Sequence, residues 1–217
     1  DTKNNIDRKM DVAVKAGKIF RVAADIPASS AKKVVDVSGL IVAPGLINMH
    51  THVYAGSNPG FTDGTSSQLP DAFAPRAGIT TVVDAGTSGW RTFPDFKAKI
   101  IDNSMTRVLA FLSIAASGYS VDKAQENIAE MDVQKTAETV NKYPDILVGV
   151  RIGRYDGTEW KPFDRASEAA KLVNKPLFVE CHLPMYSLED QLNRMRAGDI
   201  MTHAFENVSE RMTVVDE

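Results

Sequence analysis

The sequence predicts an alternating α/β domain built on a parallel β-sheet, with a small β segment before it. Two observations support this prediction. Short runs rich in Val, Ile and Leu alternate with longer helix-like segments, and these runs show little polar alternation, as strands covered on both faces do. Repeated βα units of this kind form either a (β/α)8 barrel or a doubly wound sheet, and the pattern alone leaves both open.

The first 43 residues are predicted to form a small flanking β-sandwich-like domain. Alternating valines and a turn at Ala16 and Gly17 indicate a hairpin, and a third short strand is predicted at residues 33–37. A Pro-Gly pair then marks the entry into a second domain, residues 44–217, which holds the βα units.

Six strands are predicted in the second domain, at residues 46–49, 79–84, 107–114, 146–152, 177–180 and 200–202. Helices are predicted at residues 94–101, 162–173 and 187–197, with one or two more within 121–141. Ser187 is the expected N-cap of the last helix, and Gly198 is its stop. Six strands are two fewer than an eight-stranded barrel needs, so we expect the chain to be part of a longer polypeptide or to be completed by another chain.

The composition is ordinary for a soluble globular protein. The chain is 43% hydrophobic and 24% charged, with a formal net charge of −3, which indicates neither a nucleic-acid-binding nor a membrane-binding surface. Its single cysteine, Cys181, excludes an internal disulfide and fits a reducing, cytoplasmic location. The chain starts at Asp1, so the sequence leaves open whether an N-terminal leader has been lost. A homo-oligomer is the expected assembly unless another segment completes the fold.

All four histidines follow strand-like runs, which is where a metal site in this architecture would need them. His50 and His52 come at the end of the first strand, His182 follows the fifth, and His203 follows the sixth. Residues i and i+2 of a strand point to the same side, so the first two can reach one ion together. For any one of them, the ordinary alternative is a core histidine whose ring is hydrogen-bonded to the backbone and binds no metal. Their shared placement favours a site for zinc, with iron, manganese, cobalt or nickel open from ligand type alone.

The residues around the first histidines carry a family resemblance. Residues 44–52, Pro-Gly-Leu-Ile-Asn-Met-His-Thr-His, resemble the opening barrel motif of the amidohydrolase superfamily, and the nearest group is that of dihydroorotase-like amidohydrolases and deacetylases. Similar stretches lie at residues 78–86, 148–150, 155–160, 182–184 and 202–205. The resemblance implies a (β/α)8 TIM barrel with a flanking β domain, and a metal-dependent enzyme that hydrolyses an amide or ester bond. It also implies that His50 and His52 bind the more buried metal, and that His182 and His203 bind the second.

Three departures from the family pattern bear on the chemistry. Asn48 stands where the family has Asp, and it can still hydrogen-bond near a ligand histidine. Arg151 stands at the bridging-ligand position, where the family has a lysine that is carboxylated to join two metals. Because arginine cannot form that carbamate, we expect one tightly bound divalent metal, with zinc the first candidate, although the family holds one or two. The family's proton-shuttling Asp follows an eighth strand that lies outside this chain, so the general base has no candidate here.

The activity that the resemblance implies is therefore removal of an N-acyl or O-acyl group from a small-molecule acylated substrate by metal-activated water. A cyclic amide hydrolase of dihydroorotase type and a non-catalytic relative with a binding or assembly role are the alternatives. Arg154 and Tyr155 follow the fourth strand and are predicted to contact a substrate carboxylate. Glu180 is predicted to face away from the barrel interior.

Overall fold

The computed structural model describes residues 2–57, 66–180 and 186–203, and it divides into two compact units, Asp1–Pro44 and Gly45–Glu217. The first unit contains an antiparallel hairpin of β1 (Asp11–Lys15) and β2 (Lys18–Ala23). Its turn is confirmed, because Ala16 and Gly17 adopt the positive φ angles, 50° and 72°, that a type I′ turn requires. The third strand predicted at residues 33–37 is wrong: this segment pairs with no other strand and its valines are exposed.

The second unit contains one parallel sheet of six strands, ordered as they occur in the chain. The strands are β3 (Leu46–Thr51), β4 (Ile79–Gly89), β5 (Arg107–Ser113), β6 (Leu147–Ile152), β7 (Leu177–Glu180) and β8 (Ile200–Thr202). All six predicted strands are confirmed, and the last two match to the residue. The second of the six, β4, continues beyond its predicted end to Gly89, and its residues from Thr81 onward are buried.

Five α-helices connect or follow these strands among the described residues. They are α1 (Pro70–Phe73), α2 (Phe93–Lys99), α3 (Val133–Lys142), α4 (Lys161–Leu172) and α5 (Leu188–Arg194). The cap of α5 is confirmed, since the Ser187 hydroxyl accepts a hydrogen bond from the Asp190 amide at 3.0 Å. Helix was also predicted from residue 121, but short 3-10 turns take that place up to residue 130. None of the helices in these ranges has the length and apolar character needed to cross a bilayer.

The sheet curves strongly around an interior. A large outer cluster of apolar side chains lies between the sheet and the helices, and a smaller inner cluster contains Val83, Ala85, Phe111 and Phe178. The rings of Phe111 and Phe178 are 4.6 Å apart although β6 lies between their strands. Side chains two strands apart meet only when the sheet wraps around them, so these residues face the inside of a barrel wall.

Candidate active site

Six polar side chains form a ring around the interior at the carboxyl ends of the strands. Imidazole centroids are 5.7 Å apart for His50 and His52, and 4.9 Å apart for His50 and His203. The His52 ring contacts the Tyr119 ring edge-on at 5.4 Å. The ring, which we call the strand-end ring, consists of His50, His52, Tyr119, Arg151, Glu180 and His203.

The structure therefore brings three of the four predicted histidines together, while His182 lies outside the described residues. His203 occupies a strained position for a non-glycine residue, with a left-handed φ of 61°. Within the described ranges, no three His, Cys, Asp or Glu side chains form a group that could hold a metal ion. Metal binding by these histidines stays a prediction.

A relay of hydrogen bonds orients His52. The Thr87 hydroxyl donates to Oδ2 of Asp84 at 2.8 Å, and Nδ1 of His52 lies 2.7 Å from the same Thr87 oxygen. Because the hydroxyl proton is directed at the carboxylate, the Thr87 oxygen accepts the proton on Nδ1 of His52. The relay therefore selects the tautomer whose Nε2 carries the lone pair, as a metal-ligating histidine requires.

The pKa values of His52 and Asp84 favour the protonation states that this relay requires. Burial, assisted by the positive charge of Arg151 and by His50, lowers the pKa of His52 to about 3, so the imidazole is neutral at pH 7. Complete burial raises the pKa of Asp84 to about 6, against hydrogen bonds from Val53 and Thr87 that lower it. At neutral pH Asp84 is therefore ionised and accepts the Thr87 proton.

His50 forms hydrogen bonds with residues of both edge strands of the described sheet. Its Nδ1 lies 2.7 Å from the hydroxyl of Thr202, which belongs to the last strand, β8. Its backbone N–H donates to Oδ1 of Asn48 at 3.1 Å, so the hydrogen bond expected of this residue near a ligand histidine is confirmed. The first and last strands of the described sheet thus approach each other at their carboxyl ends.

Glu180 corrects one prediction. It does not face away from the interior: its side chain is 8% exposed and forms an ion pair with Nη2 of Arg151. The other carboxylate oxygen lies 3.9 Å from Nε2 of His203. The two-residue period of a strand explains this placement, because Glu180 shares a face with Phe178, which packs inside the barrel wall.

Arg151 points into the interior at the end of β6 and is 1% exposed. Besides Glu180, its Nη2 contacts the Tyr119 hydroxyl at 3.2 Å, and its guanidinium carbon lies 4.4 Å from the centre of the Tyr119 ring. Tyr119 in turn donates to Glu180 at 2.6 Å. The positive charge of Arg151 is therefore balanced locally by a carboxylate, which the sequence did not predict.

Gly86 makes room for Arg151. A Cβ on Gly86 would lie 2.7 Å from Cδ of Arg151, and the residue adopts a left-handed φ of 72°. We expect Gly86→Ala to lower the free energy of unfolding by about 1–3 kcal/mol from backbone strain, with a further loss from the contact. Gly78→Ala is the matched control, because Gly78 has a φ of 70° and open space around it. If urea denaturation shows the same loss of unfolding free energy in both variants, the result would argue against a crowded contact between residue 86 and Arg151.

Arg154 and Tyr155 lie beside this ring in different environments. The Arg154 side chain is exposed, and its backbone N–H donates to the Tyr119 hydroxyl at 2.9 Å. Tyr155 is 6% exposed and belongs to the outer apolar cluster. The prediction that these two residues bind a substrate carboxylate stays a prediction.

Sequence reasoning missed Thr87 and Tyr119. Thr87 lies in the extension of β4 beyond its predicted end, and Tyr119 lies in a 3-10 turn, Gly118–Ser120, after β5. Neither carries a motif. The position of Thr87 three residues after Asp84 was the one available signal, since a Thr at that spacing can bond back to a strand-end carboxylate.

Comparison with known proteins agrees with this fold. The chain is 27% identical over 209 residues to a deacetylase of Agrobacterium fabrum, an alignment that covers 93% of this chain and 50% of that protein. It is 28% identical over 206 residues to an allantoinase of Escherichia coli, covering 93% of this chain and 43% of the relative. The chain thus spans about half the length of the curated relatives it matches. No family model matches it.

Solved structures share the fold. A dihydroorotase superposes with a TM-score of 0.79 at 24% identity, over 95% of this chain and 56% of that one. Atrazine chlorohydrolase TrzN from Arthrobacter aurescens, solved in complex with zinc, gives a TM-score of 0.50 at 19% identity over 83% of this chain and 50% of the other. Fold and strand-end ring define a (β/α)-barrel domain with a histidine centre. In sequence the chain is similar to deacetylases and an allantoinase, and in fold to a dihydroorotase.

Proposed function

We propose that this chain carries part of the active site of a metal-dependent hydrolase that removes an acyl group from an amide or ester. The observation that carries the proposal is the relay from Asp84 through Thr87 to His52, beside two further histidines. A neutral, oriented imidazole is what a divalent metal requires of a protein ligand. The deacetylase and allantoinase relatives support hydrolysis of amide bonds.

The donor chemistry fits a zinc-like ion. His50, His52 and His203 supply imidazole nitrogens on one side of the interior, and we propose His182 as a further ligand. A zinc ion held by these histidines would supply a water molecule that ionises near pH 7 and would polarise the substrate carbonyl. Thr87 and Thr202 hold the Nδ1 sides of His52 and His50, which fixes both rings.

We propose one tightly bound ion. A guanidinium at the bridging position cannot supply the negative charge that joins two dications, and the Glu180 carboxylate is already shared between Arg151 and Tyr119. Glu180 also offsets the repulsion that Arg151 alone would exert on a metal, which at 4 Å and an effective dielectric of about 20 would be roughly 4 kcal/mol per unit charge.

The test uses the full-length polypeptide, chelator treatment and metal restoration. N-acetyl amino acids probe deacetylation, and dihydroorotate probes the cyclic amide alternative. We expect hydrolysis of an acyl substrate to fall after metal removal and to return with zinc, cobalt or manganese, with about one equivalent bound by elemental analysis. Unchanged hydrolysis after verified removal contradicts metal dependence. A protein that binds no metal and hydrolyses neither substrate fits the binding or assembly role instead.

A further inference from the structure

The relay through Thr87 fixes one atom of the His52 imidazole but does not fix the plane of the ring. The side chain is attached at Cβ and held at Nδ1, which lies 2.7 Å from the Thr87 hydroxyl. The ring can still rock about the line that joins these two points, and this motion displaces Nε2, the nitrogen that carries the lone pair. A ligand histidine needs neighbours that lock its orientation, so a second contact on the ring is required.

The Tyr119 ring supplies this second contact. Its centroid lies 5.4 Å from that of the His52 imidazole, and the two planes meet at 70°, the edge-to-face arrangement that aromatic pairs favour. His50 also contacts the His52 ring edge-on, with 5.7 Å between the centroids, but His50 is itself a proposed ligand. Tyr119 is therefore the neighbour that can orient the His52 ring without binding the metal.

Hydrogen bonds hold the far end of the Tyr119 side chain. Its hydroxyl donates to Glu180 at 2.6 Å and accepts from the backbone N–H of Arg154 at 2.9 Å. Nη2 of Arg151 also donates to this oxygen at 3.2 Å, and the guanidinium carbon lies 4.4 Å from the centre of the ring. A phenol that is bonded to these groups has little freedom to turn, so its ring presents a fixed surface to a neighbour.

The turn that carries Tyr119 packs directly on the backbone of Thr87. Gly118 adopts a left-handed φ of 59°, and a Cβ on it would lie 2.6 Å from the carbonyl oxygen of Thr87. After Tyr119, the carbonyl of Ser120 accepts from the backbone N–H of Ser57 at 2.8 Å. Tyr119 and Thr87 therefore belong to one packed unit, which keeps a constant spacing between the two groups that contact the imidazole.

We infer that Tyr119 is a positioning residue of the histidine centre. Its ring fixes the plane of the His52 imidazole, while the Thr87 hydroxyl fixes the tautomer. Because Tyr119 acts through His52, it raises the affinity for metal without being a ligand. The effect on metal binding rests on the proposed hydrolase function, whereas the orientation of the His52 ring does not.

The test compares Tyr119→Leu with the parent, both as the full-length polypeptide. After chelator treatment, the ¹⁵N signals of His52 in histidine-labelled protein report its tautomer, and their absence from His52→Asn assigns them. The parent should show one tautomer, protonated at Nδ1. Without the neighbouring ring, the imidazole should rock away from Thr87, and Tyr119→Leu should populate the second tautomer. Its cobalt affinity should fall about 2- to 10-fold, the effect expected for the loss of one aromatic pair.

Two control variants separate the ring from the hydroxyl and from general packing. Tyr119→Phe keeps the ring, so its His52 signals should stay closer to those of the parent than the signals of Tyr119→Leu do. Tyr143→Leu removes a ring that packs on Phe93 at 5.0 Å in the outer apolar cluster, and it should leave the His52 signals unchanged. If circular dichroism shows that Tyr119→Leu is unfolded, Tyr119→Met replaces it, because the flexible Met side chain fills an irregular space.

Parent-like His52 signals in the folded Leu or Met variant would overturn the inference. An equal change in Tyr119→Phe and Tyr119→Leu would also overturn it, because the hydroxyl and its partners would then be responsible. The tautomer is measured without metal, so these outcomes do not depend on the hydrolase proposal. A parent protein that binds no cobalt refutes the proposed function, and the His52 signals still decide the role of Tyr119.

Discussion

Arg151→Met is expected to lower the free energy of unfolding by about 3–5 kcal/mol, the loss typical of breaking a buried ion pair from one side. The Glu180 side chain is 8% exposed, and without Arg151 its charge would remain in the interior with the Tyr119 hydroxyl as a hydrogen-bond donor. Urea denaturation of the full-length, metal-free protein measures the change. The size of this effect follows from burial, since an exposed pair contributes about 0–1 kcal/mol.

The double variant Arg151→Met with Glu180→Gln distinguishes the loss of the ion pair from a nonspecific loss of stability. Removing both charges leaves no buried unpaired ion, so this variant should recover most of the loss seen in Arg151→Met alone. Arg91→Met is the surface control, because that side chain is 46% exposed and pairs with a half-exposed Glu130. A loss in Arg151→Met no larger than in Arg91→Met would contradict the view that Arg151 and Glu180 form a buried pair.

The barrel strands could be predicted because each is a short apolar run bounded by turn residues. Residues 177–180 and 200–202 lie between Pro or Gly stops and polar ends, and their bounds matched the structure to the residue. Residues 33–37 have a similar composition but form no strand. A β-strand exists only with a neighbour, and strand propensity does not reveal whether a neighbour is present.

The helical prediction failed where local backbone chemistry interrupts the pattern. Residues 121–132 have polar and apolar spacing that suits a helix, yet Lys123 adopts a left-handed φ of 55° and the segment forms separate 3-10 turns. The α-helix begins only after Asp132, whose side chain accepts from the amide of Lys135 at 3.0 Å. An Asp at this position is a typical N-cap residue, and it predicts the first residue of the helix better than the hydrophobic spacing does.

The site was predictable for the residues that lie on strands and much less so for those in loops. The histidines could be found because parallel strands bring their carboxyl ends to one edge. Glu180 was misassigned although the same two-residue period that groups His50 with His52 puts it on the inner face with Phe178. Tyr119 reaches the ring from a turn beyond its strand, and no periodicity extends that far.

The largest expected effect on activity is that of His52→Asn. Loss of this imidazole should remove the tightly bound metal and lower kcat/KM by roughly a thousandfold or more, because a metal supplies several kcal/mol of transition-state stabilisation. Elemental analysis should show well under one equivalent of metal in the purified variant. A variant that keeps its metal and its activity would exclude His52 as a ligand.

Thr87→Val tests the relay that presents His52 without removing the ligand. The substitution keeps the shape of the side chain but deletes the oxygen that accepts from Nδ1 and donates to Asp84. We expect metal affinity to fall about 10- to 100-fold, the usual cost of losing a hydrogen-bond partner behind a ligand histidine. Thr136→Val is the matched control: Thr136 is equally buried, and its hydroxyl donates to the carbonyl of Asp132, the N-cap residue of α3. The metal affinity of Thr136→Val should equal that of the parent protein. If metal affinity falls equally in both variants, altered packing explains the loss and the relay is excluded as its cause.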